Sequence, residues 1–119
     1  MFRERLIAIA ERLDRVSALV LVGYDGIPIE TLIFDESLDL EMLSAEIVAL
    51  VRAIGENHRE FDIGPVRTFH VDTMRHSLLL GELSEGYYLL LAFPSQLPLG
   101  RARFELRRAP LAFIDDLQV

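Results

Sequence analysis

This chain of 119 residues has no cysteine and no lysine. Without cysteine it holds no disulfide, no iron–sulfur cluster, no cysteine-ligated zinc and no thiol nucleophile. Without lysine it has neither the lysine of a P-loop nucleotide-binding motif nor a Schiff-base lysine. The longest apolar runs, Ala18 to Val22 and Tyr87 to Phe93, fall far below the roughly 20 residues that span a bilayer. We therefore predict a chain without a membrane span.

Acidic residues outnumber basic ones by 19 to 12, which gives a net charge of −7. A surface of this sign repels phosphate backbones, so we expect no nucleic-acid partner. The chain begins with the charged stretch Phe2-Arg3-Glu4-Arg5 and not with a signal peptide, so we expect a cytoplasmic protein. The arginines cluster at one place only, which comprises Arg101, Arg103, Arg107 and Arg108.

Apolar periodicity predicts a helix followed by a hairpin in the first third of the chain. Residues 2 to 16 carry one apolar stripe at helical spacing. Residues 17 to 24 are apolar on both faces, which predicts a strand covered on both sides. The pair Asp25-Gly26 then indicates a tight hairpin with a type I′ turn. The return strand spans residues 27 to 34, and Pro28 places it at a sheet edge because proline donates no ladder hydrogen bond.

The rest of the chain predicts two more helices and three more strands. A second helix covers residues 39 to 57, and a loop follows over residues 59 to 64. Strands are predicted over residues 65 to 72, 76 to 83 and 87 to 93, and a last helix over 99 to 109. Pro110 is expected to break or kink that helix, leaving an apolar tail. The predicted fold is α+β, with a central five-stranded antiparallel sheet, helices on both faces and the order α-β-β-α-β-β-β-α.

The second helix carries two apolar stripes, although a helix that rests on one sheet needs only one. The first stripe, large and branched, is predicted to face the sheet and comprises Leu40, Leu43, Ile47, Leu50, Val51 and Ile54. The second is made mostly of small residues and comprises Met42, Ala45, Ala49 and Ala53, bordered by Glu41, Glu46, Arg52 and Glu56. Small residues let another backbone come close, so we interpret this stripe as an interface. The alternative is that alanine simply favours a helix on an exposed face.

The third strand is predicted to be half-exposed and to form the other edge of the sheet. An unprotected edge invites pairing with another chain. Two copies that joined these edges would lay their second helices side by side across one long sheet. The alternative is an edge guarded by Arg67, His70 and Asp72.

In the order and spacing of its elements, the chain resembles the Roadblock/dynein light chain family, and within it the bacterial MglB-type regulators. The segments that carry the likeness are residues 16 to 30 around Asp25-Gly26, the alanine-bearing second helix, and the close from Tyr87 to Arg108 with Phe93-Pro94 and Leu99-Gly100-Arg101. The likeness covers about residues 3 to 110. It implies a profilin-like Roadblock architecture and a homodimer through the third strand and second helix. It also implies an MglA-like, Ras-like small GTPase as partner, with a role in cell polarity or motility.

We predict one Roadblock-like domain over residues 1 to 110 and an apolar C-terminal tail over 111 to 119. The tail is either a partner-binding extension or a disordered end. The predicted dimer and partner surface comprises Met42, Ala45, Glu46, Ala49, Arg52, Ala53, Glu56, Arg67, Phe69 and Val71. How this surface is divided between a second copy and a GTPase stays open at this point.

The sequence offers little catalytic chemistry, and we expect no catalytic residue, no cofactor and no metal. The three histidines, His58, His70 and His76, lie on separate predicted elements without ligand spacing, and no Gly-x-Ser-x-Gly turn is present. An arginine finger for GTP hydrolysis is the remaining enzymatic candidate, from Arg52, Arg101 or Arg103, against the alternative of solvated side chains. The predicted function is a non-catalytic GTPase regulator or scaffold. Two alternatives stay open: a small-molecule-sensing domain, or a structural subunit that pairs with a related chain.

Overall fold

A computed structural model describes residues 2 to 56 and 58 to 117, with residues 58 and 59 as backbone alone. The helices are α1 (Phe2–Glu11), α2 (Leu40–Glu56), α3 (His58–Phe61) and α4 (Gly100–Leu117), and the strands are β1 (Ala18–Gly23), β2 (Pro28–Ile33), β3 (Thr68–Asp72), β4 (His76–Ser84) and β5 (Tyr87–Pro94). The predicted order of elements is confirmed, with α3 as a single added turn where a loop was expected. Asn57, the predicted end of the second helix, and residues 118 and 119 of the tail lie outside the described residues.

The five strands form one antiparallel sheet in the order β2-β1-β5-β4-β3. The central strand β5 pairs with β1 on one side and β4 on the other, so Ala92 lies opposite both Ala18 and Leu78. The edges are β2, which begins at Pro28, and β3. Both edge assignments therefore agree with the predictions, and α2 lies on one face of the sheet while α1 and α4 lie on the other.

Each face of the sheet has its own apolar core. Leu19 and Leu21 of β1 pack with α1 and α4 around the fully buried Phe113. Val20 and Val22 of the same strand pack on the opposite face under α2. Every residue of β1 is buried, which is the two-sided covering that its continuous apolar run predicts.

The hairpin between β1 and β2 forms as expected, but its turn is of another type. The Gly26 amide donates to the Gly23 carbonyl at 2.9 Å, so Tyr24 and Asp25 occupy the centre of the turn. Gly26 has a φ of 82°, whereas Asp25 is not among the residues with positive φ. A type I′ turn needs positive φ at both central residues, so that prediction is wrong. The Asp25 carboxylate instead accepts a hydrogen bond from the Ile27 amide at 3.1 Å.

The last helix continues through Pro110 to Leu117, so of the predicted break or kink at that proline the break does not occur. Proline removes one helical hydrogen bond, but the next turns carry Phe113 and Leu117, which are 0% and 8% exposed. Burial of these side chains outweighs the lost bond. Residues 111 to 117 therefore extend α4 over the core and do not form a tail that leaves the domain.

The first helix ends at Glu11, five residues earlier than predicted. Arg15 has a φ of 61° in the turn that follows. Arg12, just past the helix end, donates from Nε to Glu105 of α4 at 2.7 Å, and this carboxylate is fully buried. Arg101 and Arg108 lie 3.9 Å from the second oxygen of the same carboxylate. This ion-pair cluster joins α1 to α4.

Candidate functional site

The face that α2 turns to the sheet differs from the predicted one. Its buried residues are Leu40, Ser44, Ile47, Val48 and Val51. Leu50 and Ile54, expected to face the sheet, are 50% and 38% exposed. At about 100° per residue, the buried face is rotated by roughly 50° from the predicted stripe. The predicted stripe contains only large apolar residues, whereas the helix also buries Ser44 fully.

The opposite side of α2 is open to solvent, and we call it the α2 outer face. It comprises Met42, Ala45, Glu46, Ala49, Ala53 and Glu56, all of them exposed. These are six of the predicted site residues, and the helix brings them together on one surface about 17 residues of α-helix long. Met42 is 64% exposed at its N-terminal end. The surface is acidic at its rim and lined by small side chains, which suits contact with another protein.

The β1–β2 hairpin fixes α2 along one side. A Cβ placed on Gly26 would stand 3.0 Å from the Ala45 α carbon, so the two backbones meet without a side chain between them. About two turns further along, the Arg52 guanidinium stacks over the Tyr24 ring at 4.1 Å from its centroid. Such stacking of a cation on an aromatic face is attractive. Arg52, a predicted site residue, is thus half-buried and holds the hairpin against the helix.

Beyond Arg52 a cavity of about 250 Å³ opens between the end of α2 and the strand ends. Its walls include Tyr24, Glu82 and Tyr88. Burial raises the pKa of Tyr88, so its hydroxyl stays protonated at neutral pH and serves as a hydrogen-bond donor. Burial, then the neighbouring Glu85, raises the pKa of Glu82, while Arg67 acts in the opposite direction.

A second surface follows the side of α2 that is turned away from the hairpin, and we call it the β3 flank. Its α2 residues are Leu43, Leu50 and Ile54, which helical spacing places opposite Arg52. Its β3 residues are Phe69 and Val71, both half-buried and packed against the α2-side core. The β3 flank was missed in part by the sequence analysis, because Leu50 and Ile54 were assigned to the interior. The remaining predicted site residue, Arg67, is exposed just before β3.

The other side of β3 faces α4 and carries Thr68, His70 and Asp72. Arg103 of α4 donates to His70 Nδ1 at 2.9 Å, which orients both side chains. His76 lies on β4 and has its Nε2 at 3.4 Å from Asp35. Hydrogen bonds from Ser37, and then His76, lower the pKa of Asp35.

Neither a metal cluster nor a membrane helix emerges from the described residues. Within residues 2 to 56 and 58 to 117, no three histidine or carboxylate side chains gather as a metal site would require. No helix in that part of the chain combines the length and the apolar character needed to cross a bilayer.

Several solved structures share this architecture. The chain is similar to a Roadblock/LC7 domain from Streptomyces avermitilis, with a TM-score of 0.84, 16% identity, and 98% of this chain and 97% of that one covered. It is similar to Myxococcus xanthus MglB, with a TM-score of 0.75, 19% identity, and 96% and 91% covered. It is also similar to MglC from Myxococcus xanthus, with a TM-score of 0.70, 25% identity, and 98% of both chains covered.

The relationship is detected by structure and not by sequence. No family model matches the sequence, and no curated protein matches it either. The structural likeness nevertheless extends over nearly the whole chain. The chain therefore has the Roadblock/LC7 fold in the form seen in MglB and MglC, which confirms the predicted fold class and resemblance.

Proposed function

We propose that the chain is a homodimeric regulator or scaffold that binds a Ras-like small GTPase and accelerates its GTP hydrolysis. The α2 outer face is the observation that carries this proposal. Three alanines at positions 45, 49 and 53 are exposed along one helix, with Met42 at one end. Small side chains let the backbone of a partner approach closely, and the acidic rim limits which partners fit. The resemblance to MglB-type regulators implies that this partner is a GTPase.

The regulator is proposed to act without a catalytic residue of its own. Each of the three candidate arginine fingers is held by neighbours within the chain. Arg52 stacks on Tyr24, Arg103 donates to His70, and the Arg101 Nε donates to the Arg12 carbonyl at 3.3 Å. A finger has to reach into the partner's nucleotide site, which these contacts oppose. The chain would therefore work by ordering the catalytic groups of the GTPase.

The homodimer is proposed to form through the β3 flank and the free edge of β3. Among the residues that the structure describes, this strand pairs with β4 alone, which leaves its outer edge open. Leu50 and Ile54 stay half-exposed on the side of α2 that is turned away from the hairpin. Pairing of two β3 edges would cover these side chains and join two sheets into one of ten strands. The α2 outer face would stay open in such a dimer, so self-association and GTPase binding use different sides of one helix.

Two adjacent residues of α2 provide a matched test. Ala49 lies on the α2 outer face and Leu50 on the β3 flank, so arginine at each position adds the same charge to the same helix. We expect Ala49→Arg to keep the native dimer mass and to lose GTPase binding. We expect Leu50→Arg to convert the dimer to a monomer, as measured by sedimentation equilibrium.

The binding measurement uses the Ras-like GTPases of the source organism, each loaded with GDP or a non-hydrolysable GTP analogue. Tight binding to the GTP form, with faster single-turnover hydrolysis, would support the regulator. Binding to neither form would overturn it and favour the small-molecule sensor or the structural subunit. Glu60→Gln is the control and should bind the GTPase normally. If Ala49→Arg bound the GTPase as tightly as this control, the α2 outer face would not be the contact.

A further inference from the structure

The four arginines of α4 fall into two pairs with different surroundings. Arg101 and Arg108 lie 3.9 Å from the buried Glu105 carboxylate. Arg103 and Arg107 point the other way, toward β3, and line a cavity of about 100 Å³ together with Thr68 and His70. Within the described part of the chain, neither Arg103 nor Arg107 has a carboxylate at ion-pair distance. Two guanidinium groups thus face a sheet edge without a counter-charge, in a chain whose net charge is −7.

A carboxylate stands at the far end of the same strand face. Asp72 shares the α4 side of β3 with Thr68 and His70, because side chains alternate along a strand. Its side chain is 69% exposed, and it accepts a hydrogen bond from the Ser77 hydroxyl. Asp72 lies two residues beyond His70 along β3, with its Oδ1 3.7 Å from His70 Nε2. The cavity that Arg107 lines extends from His70 to Thr68, two residues before it. Within one copy, Arg103 contacts His70 at the middle of the strand, whereas Arg107 and Asp72 lie toward opposite ends of it.

An antiparallel pairing of two such strands brings those opposite ends together. Resting on the homodimer proposed above, we propose that two copies pair β3 about His70. Asp72 of each copy then lies opposite Thr68 of the other and forms an ion pair with its Arg107. Arg107 of each copy thereby gains an acidic partner from the other copy.

The length and pattern of β3 select this register. The strand runs from Thr68 to Asp72, and His70 is its midpoint, so pairing about His70 engages all five residues. It places Phe69 opposite Val71 of the second copy, which pairs apolar with apolar on the α2 side. Pairing about Phe69 would set Val71 opposite Arg67, and pairing about Val71 would set Phe69 opposite Thr73. Both neighbouring registers thus leave an apolar side chain against a polar one.

The geometry also suits the ion pair. Residues directly opposite in an antiparallel ladder have their β carbons about 4.5–5.5 Å apart. A carboxylate opposite Thr68 therefore stands at the mouth of the cavity that Thr68 and Arg107 line. Arginine binds carboxylates through a planar fork that also fixes orientation. The pair would thus set the register as well as stabilise the interface.

The absence of cysteine allows a direct test of the register. We expect oxidation of His70→Cys to yield a covalent dimer, because residues opposite each other in a ladder have α carbons within disulfide range. Phe69→Cys and Val71→Cys are matched controls that should not cross-link to themselves. A mixture of these two variants should form a covalent heterodimer. Self-linking of Phe69→Cys or Val71→Cys in place of His70→Cys would overturn the register.

Charge reversal tests the ion pair. Arg107→Asp and Asp72→Arg each place like charges at both contacts of a homodimer, and each should raise the dimer dissociation constant at least about tenfold. An equimolar mixture of the two variants restores opposite charges at both contacts. We therefore expect it to dimerise within about threefold of the wild type. Arg15→Asp, an exposed arginine far from β3, is the control and should dimerise normally.

The outcomes separate this inference from the proposed function. A wild-type chain that sediments as a monomer would overturn the homodimer and the register together. A wild-type dimer that Arg107→Asp leaves intact, or a mixture that fails to recover, would overturn the ion pair alone and leave the GTPase regulator standing. Circular dichroism of each variant shows whether the monomer is folded. A folded single variant that dissociates, with recovery in the mixture, supports the proposal.

Discussion

Gly81 of β4 lies against Leu106 of α4 with no room for a side chain between them. A Cβ on residue 81 would stand 2.7 Å from Leu106 Cγ, closer than real carbon contacts allow. The absence of a side chain at this position therefore sets how closely α4 packs on the sheet, and with it the position of Arg103 and Arg107 beside β3.

We expect Gly81→Ala to lower the free energy of unfolding by about 1–3 kcal/mol, because the buried methyl group forces α4 to shift. Urea denaturation measures this loss. Gly55→Ala is a matched control, since a Cβ at position 55 of α2 meets nothing within 4 Å. In that helix alanine should raise stability by up to about 1 kcal/mol. Equal stability of Gly81→Ala and the wild type would show that α4 is free to move.

Arg12→Leu should destabilise the fold because it removes the 2.7 Å partner of the fully buried Glu105 carboxylate. Breaking a buried pair leaves an uncompensated charge, and we expect a loss of about 2–3 kcal/mol in urea denaturation. The two longer contacts from Arg101 and Arg108 keep this figure below that of a fully unpaired charge.

The double variant Arg12→Leu with Glu105→Leu should lose less stability than Arg12→Leu alone, because no charge is then left buried. Arg75→Ala, an exposed arginine in the β3–β4 turn, is the control and should change stability by less than about 0.5 kcal/mol. If the single and double variants were equally unstable, the lost side-chain packing and not the charge would explain the effect.

Pro110→Ala should stabilise the chain, because α4 continues through this position without a proline N–H. Restoring that hydrogen bond raises the free energy of unfolding by up to about 3 kcal/mol. The alanine variant has a more flexible unfolded chain, which lowers this free energy by about 0.4–1 kcal/mol. We expect a net gain of about 1–2 kcal/mol and a higher thermal midpoint by calorimetry. A lower midpoint would mean that the proline ring contributes packing that alanine lacks.

Stability should depend on pH through Glu82, whose pKa is raised chiefly by burial. A carboxyl with a raised folded pKa stabilises the fold when protonated, and this contribution is lost as the pH rises through that pKa. Glu82→Gln mimics the protonated form. We therefore expect the variant to gain stability over the wild type at pH 7.5 and to lose this advantage near pH 4, as measured by urea denaturation at both values.

Asp35 should show the opposite sign. Its pKa is lowered by hydrogen bonds from Ser37, so the ionised form stabilises the fold above the unfolded pKa, and this contribution is lost as the pH falls through the folded pKa. Asp35→Asn should thus be less stable than the wild type at pH 7.5, with the difference closing in acid. A pH-independent difference for either variant would contradict the assigned direction of its pKa.

The helices and strands were predictable where the local sequence signal and the burial of the side chains favour the same structure. The Asp25-Gly26 pair marks the hairpin, and Pro28 marks the edge strand next to it, so both are confirmed. Pro110 misled because local propensity disfavours a helix there, whereas the burial of Phe113 three residues later decides the outcome. That burial depends on the α1–α4 packing, which no local pattern contains.

The sequence predicts which small residues of α2 share one face, but it does not predict how the helix is rotated on the sheet. The α2 outer face carries the predicted small residues, since alternating stripes on a helix are visible in the sequence. The β3 flank was not recognised, because Leu50 and Ile54 resemble core residues, and their exposure follows from how Gly26 and Tyr24 seat the helix. The pairing of Arg12 with Glu105 joins positions 93 residues apart, a relationship that one sequence does not display.

The outer edge of β2 bears on how far such a protein can polymerise. Pro28 offers no amide hydrogen to an incoming strand, and the pairing of β1 with β2 is irregular between Leu21 and Val22. A bulged edge that carries a proline is a poor template for further strand addition. A sheet formed by joining two β3 edges would thus have β2 as its outermost strand on both sides. Such an assembly would stop at two copies, because neither β2 edge favours the strand addition that extends an amyloid-like fibre.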